Sequence, residues 1–151
     1  MKLRELYPYW AGDSDEFIDT LELLDDDQWQ ARLGIEDGLS IRRLILELID
    51  RERFWTAHVA QGRAYEPLPQ GELKTGADII DQYRATRAET VRYIESLTPE
   101  SLRSVRVAPE DASMNEIERN VPLGWVIWHV VQQELTAYGR VQILRALLKA
   151  R

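Results

Sequence analysis

The chain has 151 residues, enough for one domain around one core, and its 44% hydrophobic and 30% charged residues are the mixture of an ordinary folded domain. A net charge of −7, with no run of Lys or Arg to offset it, repels phosphate backbones and excludes nucleic acid as an expected partner. The absence of cysteine removes disulfides, thiolate nucleophiles and cysteine zinc sites together.

The opening MKLRELYPYW has no apolar core of a secretory signal. The most apolar run, VPLGWVIWHVV, falls well short of the roughly 20 residues of a membrane span. The expectation is a cytoplasmic protein with no membrane partner.

Helical spacing of apolar residues dominates. A first helix lies within residues 5–24, where Phe17, Ile18, Leu21 and Leu24 recur at helical spacing; Pro8 stands at or before its first turn and Gly12 makes its start ambiguous. DDDQWQARLGIEDG is a linker with Trp29 and Leu33 packing inward. The second helix starts after Ser40, whose hydroxyl can satisfy a free backbone N–H, and stops at Gly62; Ile41, Leu44, Ile45, Leu48 and Trp55 form its apolar stripe.

GRAYEPLPQGELKTG is a Pro- and Gly-rich loop. Thr75 with Asp78 three residues later reads as a partial capping box for a third helix, with Ile79, Ile80, Tyr83, Val91 and Ile94 on one side and Pro99 beyond its end. Residues 102–119 are polar and irregular, with a short strand or loop around RSVRVAP. The fourth helix is the longest, from Pro122 to about Lys149, along a stripe of Val126, Val130, Gln133, Ala137, Val141, Leu144 and Leu148. Four amphipathic helices on one core predict an all-α four-helix bundle with long connecting loops.

Three segments carry a family resemblance. LSIRRLILELIDRERFW and the VAQG that follows it, together with PLGWVIWHVVQQELTAYGRVQILRALL, resemble the second and last helices of the DinB/YfiT-like superfamily of small four-helix bundles. The resemblance implies a single DinB-like domain over residues 1–151 and a homodimer. In that family a divalent metal, nickel or zinc, is held by three histidines. One comes from the second helix and two, four residues apart, from the last. Residues i and i+4 share a helix face, so two such imidazoles and a third from a facing helix leave open coordination positions.

Aligning Gly139 with the family's glycine puts Gln133 and Ala137 at the two last-helix ligand positions, and the resemblance of the second helix puts Glu47 at the third. Gln133 is a poor transition-metal ligand and Ala137 is none. His129 aligns with a non-ligand histidine one turn earlier and, beside Trp125 and Trp128, reads as a packed, hydrogen-bonded core or interface residue. His58 reads as a surface residue near a helix end. Glu47 and Gln133 are expected to replace the metal as a hydrogen-bonded tie across the bundle.

The favoured expectation is a diverged member without the metal, with no cofactor, acting by small-molecule binding or protein contact. The alternative is a metal-dependent enzyme, a thiol-dependent S-transferase, isomerase or hydrolase, with a site rebuilt from Glu47, His129 and Glu134. Metal-free acid–base chemistry would draw on Glu47, Glu134, His129 and Tyr138.

Overall fold

The computed structural model describes residues 2–32, 39–107 and 120–150. In chain order these form α1 (Leu3–Leu6), α2 (Trp10–Glu22), α3 (Asp26–Gln30), α4 (Ile41–Arg53), α5 (Gly76–Ser96), a two-stranded ribbon of β1 (Val105–Val107) and β2 (Asn120–Pro122), and α6 (Leu123–Lys149). The four long helices α2, α4, α5 and α6 make an all-α bundle. α4 packs on α5 and α6, and α2 packs on the same two from the other side.

The local chemistry explains where the helices begin. Ser40 accepts the backbone N–H of Arg43 (3.2 Å), and at α5 the capping box is complete: Asp78 N–H donates to Thr75 Oγ1 (3.1 Å) while Thr75 N–H donates to Asp78 Oδ2 (2.8 Å). A second box, Asp25 with Gln28, opens α3 inside the segment expected to be a linker, and there Trp29 is buried. Leu33 lies outside the described residues. Gly12 does not interrupt α2, which runs through it, and Gly62 ends the second long helix at φ 69°.

Two features depart from the expectation of simple helices and loops. α4 does not run to Gly62 as α-helix; from Phe54 to Ala60 it widens into a π-helix, in which Thr56 Oγ1 donates back to the Glu52 carbonyl (2.7 Å). The strand suspected near RSVRVAP exists as β1, and its partner is Asn120–Pro122, of which the sequence assigns only Pro122, as the start of the last helix. The two pair antiparallel, with Arg106 opposite Val121.

Gly76, the first residue of α5, lies against the Trp29 indole. A Cβ built there would stand 2.8 Å from Trp29 Cε2, so the ring must move to admit it. Gly76→Ala is expected to destabilise the fold by about 1–3 kcal/mol despite its better helix propensity, as overpacking does. A urea titration followed by tryptophan fluorescence checks this; equal or greater stability would contradict it.

Candidate functional site

In each long helix the buried apolar stripe is broken at one level by polar side chains. α2 supplies Ser14, α4 supplies Glu52, α5 supplies Arg87 and Thr90, and α6 supplies Glu134, all at helical spacing from apolar core neighbours. Glu52 and Glu134 are 1% and 2% exposed, so they cannot rely on water and must be satisfied by protein.

Glu134 is met from three directions. Ser14 Oγ donates to its Oε1 (2.7 Å), the Tyr83 hydroxyl donates to the same oxygen, and the Trp10 indole N–H donates to Oε2. Arg87 Nη2 lies 3.1 Å from Glu134 Oε1 and 2.9 Å from Glu52 Oε2, bridging α6 to α4; the second contact is an ion pair by distance without hydrogen-bond alignment. Thr90 Oγ1 donates to Glu52 Oε1 (2.6 Å). The Arg87 guanidinium carbon sits 4.3 Å from the centre of the Trp10 ring, a cation–π contact.

Two carboxylates thus share one guanidinium in a dry environment. Burial pushes the Glu52 carboxyl above its ordinary value, and Arg87 and the Thr90 hydroxyl oppose that shift without reversing it. Burial pulls the Arg87 guanidinium down, but the nearby Glu52, Tyr83 and Glu134 together push it above its ordinary value, so it stays charged. Burial is also the largest influence on Tyr83, which is held well above the usual phenol range.

Above this network a cleft of about 670 Å³ opens between α2 and α5. Trp10, Ser14 and Arg87 form its base, and Ala11, Ile18, Ala88 and Val91 its apolar walls.

The positions aligned with the family's metal ligands lie elsewhere, between α4 and α6. Glu47, Gln133 and Ala137 line one cavity of about 200 Å³, together with Arg51, Thr136 and Arg140. The expected Glu47–Gln133 tie is not formed. Glu47 is 39% exposed at its side chain and accepts from Arg43 Nε one turn earlier (2.8 Å), so its charge is not buried and needs no partner across the bundle. The Gln133 amide nitrogen stands 2.7 Å from His129 Nε2, in an arrangement where the imidazole nitrogen accepts. The His129 ring stacks on Trp125 (centroids 4.7 Å, 11° between planes) and meets Trp55 edge-on.

A metal does not fit this donor set. One carboxylate, one amide and one methyl group cannot replace three imidazoles, and the His129 lone pair that a metal would need faces Gln133. The rebuilt set of Glu47, His129 and Glu134 is not brought together. Positions 133 and 134 point about 100° apart on the helix, and Glu134 turns inward to Arg87, Ser14, Tyr83 and Trp10. Among the described residues there is no cluster of three or more histidine or acidic side chains suited to a metal ion. The acid–base candidates are dispersed as well: the Tyr138 hydroxyl donates to Glu16 (2.7 Å). His58 is half-buried, with Nδ1 2.7 Å from the Arg63 carbonyl oxygen.

The family model for the DinB superfamily matches residues 10–134. The crystal structure of a DinB-like protein from Bacillus cereus ATCC 10987 is similar to this chain with a TM-score of 0.73 at 12% identity, over 97% of this chain and 93% of that one; at such identity the likeness is one of fold. No curated protein matches the sequence.

Proposed function

The chain belongs to the DinB superfamily, and from that premise we propose that it is a diverged member that works without the three-histidine metal, by binding a small molecule or through protein contact. The observation that carries this reading is the cavity between α4 and α6. It is lined by the three residues at the ligand positions, Glu47, Gln133 and Ala137, and they offer it a single carboxylate. The proposal includes one domain over residues 1–151 and a cytoplasmic location; no helix among the described residues is long and apolar enough to cross a membrane.

The protein contact proposed is with a second copy. Trp128, Leu135 and Ile143 are exposed on α6, 45%, 45% and 61%, and the other solvent-facing positions between them, Gln132, Thr136, Gly139, Arg140 and Gln142, include no carboxylate. In a chain of net charge −7, a helix face without carboxylates is where self-association meets least repulsion.

Metal analysis of untagged protein, with sedimentation equilibrium on the same preparation, tests this. Well under one equivalent of zinc or nickel is expected, with a concentration-dependent dimer. A stoichiometric metal lost in Glu47→Ala or His129→Ala would instead restore the reading as a metal-dependent transferase, isomerase or hydrolase.

A further inference from the structure

We propose that the cleft between α2 and α5 is a binding site for a small, largely apolar molecule that presents an uncharged carbonyl oxygen to Arg87. This deepens the binding reading above and rests on it, but places the ligand on the opposite side of the bundle from the Glu47 cavity.

The size and walls suit such a molecule. About 670 Å³ lies within the range of roughly 300–1,000 Å³ typical of small-molecule sites, whereas the cavity at Glu47, about 200 Å³, lies below it. Trp10, Ala11, Ile18, Ala88 and Val91 offer apolar surface, and the rim sets Lys2 and Arg84 against Asp15 and Glu95, two charges of each sign. Arg84 is further neutralised by its ion pair with Glu22.

Arg87 supplies the polar anchor. It lines the cleft, is only 8% exposed, and makes its contacts to Glu52, Glu134 and Tyr83 through Nη2 alone. Its Nε and Nη1 are buried with no hydrogen-bond partner. Buried donors on a charged group are costly to leave unmatched, so an acceptor delivered to them contributes strongly to binding.

Charge decides the kind of acceptor. Glu52 and Glu134 already set two carboxylates against this one guanidinium, so a ligand carboxylate would bring a third negative group into the same dry space. A neutral carbonyl brings the lone pair without the charge. Since Nε and Nη1 are closed to solvent, the oxygen reaches them by displacing a wall. The wall set against the guanidinium is the Trp10 indole, which lines the cleft with its ring centre 4.3 Å from the guanidinium carbon.

N-methylbenzamide, a neutral carbonyl on a small apolar ring, is the probe, titrated into isotopically labelled protein and read by NMR. Saturable shifts of the Trp10 indole N–H and of α2 and α5 amides are expected. Benzoate, the matching carboxylate, is expected to bind at least about tenfold more weakly, as a charge placed against like charge does. Filling the cleft from an exposed wall position, with Ala88→Trp or, from the facing helix, Ala11→Trp, should weaken the amide by a similar factor, while Thr136→Trp in the Glu47 cavity should not. The proposal is overturned by absence of saturation, by benzoate binding as well as the amide, or by binding that survives both cleft-filling variants. Binding sensitive to Thr136→Trp alone would also overturn it while leaving the broader binding reading in place.

Discussion

Arg87→Met is expected to lower the unfolding free energy by about 3–5 kcal/mol, the cost of leaving a buried ion pair without one partner. Here the loss strands two carboxylates, Glu52 and Glu134, that are almost wholly out of water, and it removes the cation beneath the Trp10 ring. Urea unfolding followed by circular dichroism measures it. If the cost comes from stranded charge, adding Glu52→Gln and Glu134→Gln to Arg87→Met should recover much of it, because the triple variant buries no ion. Failure of the triple variant to recover any stability would show that Arg87 acts through packing instead.

The same network has a pH signature. The folded-state pKa of Glu52 is raised, chiefly by burial, so folding favours proton uptake at this carboxyl relative to the unfolded chain. Such a group contributes stability that is complete below the ordinary value of 4.5 and is lost as pH rises through the raised folded pKa. Compared with Glu52→Gln, whose side chain does not titrate, the parent should therefore lose ground as pH climbs from about 4 towards neutrality. A stability difference that is flat over that window, or of opposite slope, would mean that Arg87 and Thr90 fully offset the desolvation of Glu52.

These groups were only partly legible in the sequence, and the reason is specific. Helix starts and stops depend on single residues acting locally, so Ser40, Thr75 and Gly62 announce them, and the apolar stripes of α2, α4 and α5 follow from spacing. A stripe drawn through apolar residues alone, however, skips the polar ones that share it. Arg87 and Thr90 stand four and seven residues after Tyr83, and Glu52 stands four after Leu48. Each lies on the buried face of its helix, yet each looks like a solvated residue until its partners on other helices are known. A charged residue in register with a core stripe was the available signal.

On α6 the inward face lies one residue away from the stripe drawn through Gln133. The chain buries Val130, Glu134 and Ala137, which turns Glu134 inward and leaves Gln133 half-exposed beside His129. The helix is apolar on several sides, so its hydrophobic residues do not single out one inward face. The π-helical segment after Arg53 leaves no comparable mark in the sequence.

The ancestry of the Glu47 cavity can be tested by rebuilding it. Glu47→His, Gln133→His and Ala137→His together restore the three-histidine set that the resemblance implies, and the three positions line one cavity, with 133 and 137 a helical turn apart. The metal-free triple variant is expected to be less stable than the parent by about 1–3 kcal/mol, since Ala137 is buried and its replacement must push an imidazole into tight space. Zinc or nickel should reverse the deficit. A ligand that binds only the native state adds about 2.7 kcal/mol at a hundred times its Kd, enough to shift the thermal midpoint by several degrees. The parent should show no such response, and each double variant lacking one of the three histidines should need much more metal for the same shift. If the triple variant ignores both metals while remaining folded, the backbone between α4 and α6 has moved away from the family's geometry. If it responds, the scaffold has kept the spacing of a metal centre whose ligands its sequence no longer supplies, and the loss of that chemistry lies in three side chains rather than in the fold.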